Sequence, residues 1–232
     1  LDLMVAVADE IGAQTGRRPL VVVDNTLLGP FAQRPIAHGV DLCMTSLTKY
    51  CAGHSDLLAG GISGRLDLIH QLRTLRTTWG NHLDPFTAWL VVRSLESASV
   101  RIERAMRNAR AVAEFLRDHP KVAGVTYLGF LPEGSRRRAV YDRQCKGAGS
   151  TFSFHLHGGE AESFRMLDHL RLLKLAVSLG GSETLICHSA STTHYAVPRD
   201  MRLAGGITEG TMRLSVGLEH PDDLIEDLRQ AL

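Results

Sequence analysis

The sequence predicts an α/β architecture, and three observations carry that expectation. Two short apolar runs, "RPLVVVD" at 18–24 and "VDLCMTS" at 40–46, are continuous, as in parallel strands covered on both faces. A helical stretch precedes the first run and a loop-and-turn segment separates the two, so the strands are joined by a crossover. From Pro85 onward the pattern changes. A long stretch of helix formers gives way to alternating strands and further helices, the pattern of a smaller α+β domain.

Each element has its own signal. Residues 1–15 bring Leu3, Val7 and Ile11 round at helical spacing, and Gly16 is the stop. Residues 25–39 form a loop and turn region. "LLAGGISG" at 57–64 reads as a third strand, loosened by its glycines. Residues 85–116 read as one long helix, or as two joined by a kink near Ser97–Ser99. "KVAGVTYLG" at 121–129 reads as a strand. Arg136, Arg137 and Arg138, the one basic run, read as a solvated loop. Residues 150–158 alternate, which suits a half-buried strand. A helix over 161–170, an alternating strand over 211–218 and a closing helix opened by Pro221 complete the chain. The expected division is 1–90 for the α/β part and 91–232 for a linking helix and the α+β part.

Bulk composition narrows the function classes. The 232 residues are 44% hydrophobic, enough for a real core. With 26 basic and 25 acidic residues the formal net charge is +1, so neither nucleic acid nor an anionic membrane is an expected partner. Cys43, Cys51, Cys145 and Cys187 show no CxxC spacing, so neither a metal site nor a disulfide framework is expected, and a reducing cytoplasm is. There is no apolar run near membrane-span length and no signal peptide. The first residues lack an initiator Met and read as a helix already under way, as if the sequence began inside a domain.

Chemistry gathers at the strand ends, where ligands bind in open parallel sheets. Asp24 follows "LVVV", and Ser46, Thr48 and Lys49 follow "VDLCMT". Were the two strands neighbours, Asp24 and Lys49 would face one crevice. Such a set matches the needs of pyridoxal phosphate: a lysine for its aldehyde, a carboxylate for its ring nitrogen, and hydroxyls for its phosphate. Spacing alone leaves plainer readings open, since a strand-end Asp also serves as a turn residue and a lone Lys is commonly solvated. His188 and His194 invite a metal reading, but no carboxylate supports it, and a hydrogen-bonded core role is the plainer one.

Longer motifs go further. "DNT" (24–26), "SLTKYCAGHSD" (46–56), "AVSLGGSETLICHSASTTH" (176–194) and "GGITEGTMRLSVGLEHPDDLIEDL" (205–228) resemble, in order, the Cys/Met-metabolism family of pyridoxal-phosphate enzymes. That family includes methionine γ-lyases, cystathionine γ-lyases, β-lyases and γ-synthases, and O-acylhomoserine sulfhydrylases. The resemblance implies part of a fold-type I large domain with a mostly parallel sheet, plus a smaller C-terminal α+β domain. It implies that Lys49 bonds the cofactor aldehyde, that Asp24 pairs with the ring nitrogen, and that Ser46 and Thr48 contact phosphate. Arg213 would grip the substrate α-carboxylate, for which a guanidinium fork is suited, with Ser178 as a second contact. His54, Ser55 and Asp56 would shape the loop. A homotetramer built from two dimers, with active sites shared across subunits, is the implied assembly.

The resemblance also implies a reaction. The substrate amine displaces Lys49, whose free amine then serves as base at Cα. Loss of a Cβ proton and of the γ-thiolate yields a 2-oxo acid, ammonia and a thiol. A β-lyase stops at the β-substituent, and a γ-synthase captures the unsaturated intermediate with a thiol. Val177 stands where family members acting on cystathionine commonly carry Glu. An apolar wall suits a methyl thioether better than an ammonium group, so methionine γ-lyases are the nearest pattern. Two departures stand out. Ser189 replaces the proline usual in "H-P-A", where a changed loop is expected. The family's N-terminal part, with its ring-stacking tyrosine, phosphate loop and Tyr/Arg pair, has no counterpart here. A catalytically silent fragment or structural subunit is therefore the alternative of another class.

Overall fold

The computed structural model describes residues 1–232. In chain order the elements are α1 (Asp2–Thr15), β1 (Val22–Asp24), α2 (Gly29–Ala32), β2 (Leu42–Ser46), β3 (Gly60–Gly64), α3 (Leu66–Trp79), α4 (Pro85–Leu95), α5 (Ala98–Arg117), β4 (Val122–Thr126), α6 (Arg136–Gln144), β5 (Thr151–Leu156), α7 (Glu160–His169), β6 (Lys174–Leu175), β7 (Leu185–His188), α8 (Arg199–Ala204), β8 (Thr211–Ser215) and α9 (Pro221–Ala231). They form two compact units: residues 1–99 with 133–147, and residues 100–132 with 148–232. Residue 90 lies inside α4, and the chain passes between units within α5.

The first unit holds a three-stranded sheet of order β1-β2-β3. β1 and β2 are parallel, as expected, but β3 runs antiparallel to β2, so this sheet is mixed. α1 ends at Gly16, whose φ of 73° is the left-handed conformation that glycine adopts without steric cost. Buried Asp41 ties the unit's entry together. It accepts from the Val21 amide at 2.8 Å and from the guanidiniums of Arg18 at 2.7 Å and Arg65 at 3.2 Å. Burial works to raise its pKa, but these donors outweigh it and hold the carboxyl below its ordinary value. A small cluster of Ala52, Leu57 and Val91, with Leu47 and Leu90 against it, seats the segment after β2 on α4.

The second unit holds a five-stranded sheet of order β4-β5-β8-β7-β6, antiparallel except for β6 with β7. Alternation decides its faces. Phe152, Phe154 and Leu156 on β5, with Met212 and Leu214 on β8, turn inward. They meet Ala109, Val112, Ala113 and Leu116 of α5, Met166 and Leu167 of α7, and Leu224 and Leu228 of α9. Full burial of each large side chain stabilises by about 2 kcal/mol. Asp227 on α9 accepts from the amides of Arg171, Leu172 and Leu173 at 2.8, 2.8 and 2.9 Å, pinning the turn before β6.

Besides the antiparallel β3, six elements differ from the expectation: α2, α3, β6, β7 and α8 are additional, and α6 stands where a loop is expected. The Arg136–Arg138 run is the first turn of α6, capped by the Ser135 hydroxyl on the Arg138 amide, rather than a loop. The region 85–116 is two helices, broken at Glu96 and Ser97. No helix is long and apolar enough to cross a membrane.

Candidate active site

Direct pairing of β1 with β2 meets the condition on which the sequence reading depended. Asp24 lies opposite Met44, so Asp24 ends β1 and Ser46 ends β2 at the same carboxyl edge. Residues two apart share a face, which puts Asp24, Met44 and Ser46 on one side of the sheet. That side is open to solvent at Asp24.

A residue given no role from sequence joins the two strand ends. The Thr26 amide and hydroxyl both donate to Asp24 Oδ1, at 2.9 and 2.6 Å, and the hydroxyl oxygen accepts the Ser46 amide at 2.8 Å. This is an Asx-type turn reinforced by a charge-assisted O–H···O⁻ bond. It fixes the carboxylate's orientation and commits Oδ1 to Thr26. The only earlier sign of Thr26 was its place in "DNT".

Lys49 lies one turn beyond Ser46. Leu47–Cys51 form a π-type turn in which the Ala52 amide donates to the Leu47 carbonyl at 2.8 Å. Lys49 departs from helical geometry within it, at φ −85° and ψ −125°. π-type turns are rare and recur at functional sites. Gly53 (φ 70°) and Ser55 (φ 58°) then bend the chain away. His54 donates from Nδ1 to the Ala52 carbonyl at 2.5 Å, a contact within the loop.

Thr48 is engaged locally. Its hydroxyl donates to the Ala59 carbonyl at 3.2 Å and accepts the Ala59 amide at 2.9 Å, closing the 48–59 loop. Donation to a phosphate oxygen requires that hydroxyl proton to turn from Ala59. A cavity of about 900 Å³ in this unit is lined by Phe31, Ile36, Cys43, Leu47 and Ile62, and by none of Asp24, Ser46, Thr48 or Lys49.

In the second unit Arg213 sits on β8 between Ser153 of β5 and Cys187 of β7. Its neighbours Met212 and Leu214 face the core, so alternation turns Arg213 to the other face. Nη2 donates to the carbonyls of Val177 and of Ser178, the latter at 3.0 Å. Thus the structure brings Arg213, Val177 and Ser178 together. Val177 itself is 56% exposed.

His188 is a buried core residue. Its Nε2 donates to the Glu209 carbonyl at 2.8 Å, which makes Nδ1 the acceptor for Ser191 Oγ at 2.8 Å. The Ser189 amide donates to the Thr211 carbonyl at 3.0 Å, a bond that proline cannot make. The departure at this position therefore extends the β7–β8 pairing by one residue.

Comparison with known proteins agrees with these motifs. The family described as Cys/Met metabolism PLP-dependent enzyme matches residues 4–232. An L-methionine γ-lyase of Fusobacterium nucleatum is 42% identical over 222 residues, 95% of this chain and 56% of that protein. A cystathionine γ-lyase of Macaca fascicularis is also 42% identical, over 92% of this chain and 52% of its own length. The chain thus spans about half the length of the curated relatives it matches. Among solved structures, a Micromonospora echinospora protein described as a cystathionine γ-lyase superposes with a TM-score of 0.90 at 40% identity, covering 98% of this chain and 59% of that one. A second structure of that protein is described as a methionine γ-lyase. A cystathionine γ-synthase from Xanthomonas oryzae pv. oryzae superposes with a TM-score of 0.91 at 39% identity, covering 99% of this chain and 58% of that one.

Proposed function

Because the chain belongs to the Cys/Met metabolism family of pyridoxal-phosphate-dependent enzymes, we propose that it carries the reactive lysine and the carboxylate grip of a methionine γ-lyase. The reaction read here converts L-methionine and water to 2-oxobutanoate, ammonia and methanethiol. The observation that carries the reading is the shared edge of β1 and β2, where Asp24 and Ser46 are cross-linked by Thr26 one turn before Lys49.

The residues at that edge fit pyridoxal phosphate. Asp24 has one carboxylate oxygen held by Thr26 and the other available to a protonated ring nitrogen. Ser46 and, after turning from Ala59, Thr48 offer hydroxyls to phosphate, and Lys49 offers the amine. The bound cofactor supplies an electron sink next to the substrate α-carbon. Lys49 Nζ takes the Cα proton as general base. Asp24 keeps the ring-nitrogen proton in place. Arg213 holds the α-carboxylate through the guanidinium hydrogens not given to Val177 and Ser178, with Ser178 as the second contact. Once Nζ has passed on that proton it takes one from Cβ, the γ C–S bond breaks, the departing thiolate takes up a proton to leave as methanethiol, and hydrolysis by water releases 2-oxobutanoate and ammonia.

Val177 favours methionine. Its isopropyl group has no acceptor for the distal ammonium of cystathionine, and an unpaired charge against an apolar wall is disfavoured. Cystathionine γ-lyase or γ-synthase, or O-acylhomoserine sulfhydrylase, is the second reading. It is favoured by the equal identity to a methionine and a cystathionine γ-lyase. Initial rates of 2-oxobutanoate release from L-methionine and L-cystathionine, by the full-length protein with pyridoxal phosphate, separate the two. Faster release from methionine is expected. Faster release from cystathionine overturns the Val177 argument, and release from neither favours a synthase or a silent fragment.

A homotetramer in a reducing cytoplasm completes the proposal. α3 has no buried residue, and Trp79, Phe86 and Trp89 are exposed, apolar surface that other subunits or the rest of a longer chain would cover. All four cysteines are free thiols.

A further inference from the structure

We propose that Glu219 is a positioning residue for the substrate-carboxylate grip: its carboxylate fixes the loop that holds Val177 and Ser178 against Arg213. The inference rests on reading Arg213 as that grip.

Residues 176–184 connect β6 to β7 without helix or strand. At the start of this loop, Arg213 Nη2 donates to two consecutive carbonyls, Val177 and Ser178. A terminal guanidinium nitrogen has two hydrogens, and both are committed there. The plane of the guanidinium, and hence the direction of its remaining N–H groups, is therefore set by where the loop lies.

The far end of the loop is held by Glu219. Oε1 accepts the Thr184 amide at 2.6 Å and Oε2 the Thr184 hydroxyl at 2.7 Å. The same hydroxyl accepts the Gly217 amide at 2.9 Å. Between the two ends, the Gly180 amide donates to Ser215 Oγ at 2.9 Å and the Leu218 amide to the Ser182 carbonyl at 2.8 Å. Every one of these contacts ties the loop to residues 213–219, the strand bearing Arg213 and its extension. Glu219 is itself anchored, since buried Asn108 of α5 donates to the carbonyls of Gly217 and Glu219 at 3.0 and 2.8 Å.

The chemistry of the side chain matters as well as its reach. Two donors of Thr184 face the two oxygens of Glu219, and an ionised carboxylate accepts at both. Glutamine would set an NH₂ group against one of them. The hydroxyl proton would lose its acceptor, and the loop would be released at that end.

The test uses the full-length protein loaded with pyridoxal phosphate. Binding of L-norleucine and of L-norleucinamide, which lacks the carboxylate charge, is read from the cofactor's absorbance. Glu219→Gln and Thr184→Val are each expected to lower the preference for the acid over the amide about tenfold, as a displaced contact does. Thr184→Ser, which keeps the hydroxyl, is expected to match the parent. Loss of thermal stability with an unchanged preference in both disruptive variants would overturn the inference. Arg213→Lys, measured alongside, separates the layers. If it removes the preference while Glu219→Gln and Thr184→Val do not, the positioning role alone fails. If Arg213→Lys leaves the preference intact, the reading of Arg213 as the grip fails.

Discussion

Thr26 donates twice to one oxygen of Asp24, from its amide at 2.9 Å and its hydroxyl at 2.6 Å, and the same hydroxyl accepts the amide of Ser46. One small side chain thus sets both the aim of the strand-end carboxylate and the spacing of two strand ends. Thr26→Val keeps the volume and loses the hydroxyl. It is expected to weaken pyridoxal-phosphate affinity about tenfold, the equivalent of ~1.4 kcal/mol, in an equilibrium titration with the full-length protein. Thr26→Ser is expected to retain affinity. Equal affinity in parent and Thr26→Val would show that Asp24 needs no such support.

On the proposed reading, Val177 carries the choice of substrate. Val177→Glu introduces a carboxylate where the distal ammonium of cystathionine would be received. The ratio of kcat/KM for cystathionine over methionine is expected to rise by at least about tenfold, the scale on which one pocket contact discriminates. An unchanged ratio from steady-state kinetics would place the specificity elsewhere.

Asp227 supports the second unit through three backbone amides. Burial tends to raise its pKa, but these amides and Gln230 outweigh it, so the carboxyl titrates below its ordinary value when folded. The unfolded carboxyl, near 3.9, then takes up its proton at higher pH than the folded one. Its contribution is complete above that value and is lost as pH falls through the lowered folded value. Asp227→Asn is expected to destabilise by about 2 kcal/mol at neutral pH in denaturant unfolding. The gap from the parent should narrow below pH 4, and a gap constant with pH would contradict the assignment.

Gly217 marks the crossing of two backbones. A Cβ there would lie 2.2 Å from the Ser182 carbonyl oxygen and 2.6 Å from the Glu183 carbonyl carbon. Neither neighbour is a flexible side-chain tip, so relief requires the loop to move. Gly217→Ala is expected to lower stability by roughly 2 kcal/mol, a cost in the range of overpacking. It should also impair L-norleucine binding, since the loop holding Val177 and Ser178 must shift. Wild-type behaviour on both measures would refute the close approach.

The parts of the molecule legible in the sequence are those where one physical demand dominates. β5 alternates buried and partly buried residues because one face meets the core, and α9 opens with Pro221 ahead of two acidic residues. β7 is buried at all four positions, so it shows no alternation, and it is too short to stand out. α3 repeats Leu66, Ile69, Leu72 and Leu75 but buries none of them in this chain, so its apolar stripe faces no core. The antiparallel run of β3 was hidden because glycines carry no facing pattern. Asp24, Ser46, Thr48 and Lys49 stand out in the sequence through their strand-end positions and the longer motifs, and the pairing of β1 with β2 sets Asp24 and Ser46 at one edge. The supports Thr26 and Glu219 do not stand out, because a hydroxyl bridging two strands and a carboxylate gripping a distant threonine leave no periodic trace.

The most direct test asks where the cofactor attaches. The full-length protein is loaded with pyridoxal phosphate, reduced with borohydride, digested, and its peptides mapped by mass. The account predicts the pyridoxyl adduct on the peptide containing Lys49, and its absence in Lys49→Ala. An adduct on Lys121, Lys146 or Lys174 instead, or on no lysine of this chain, would contradict it.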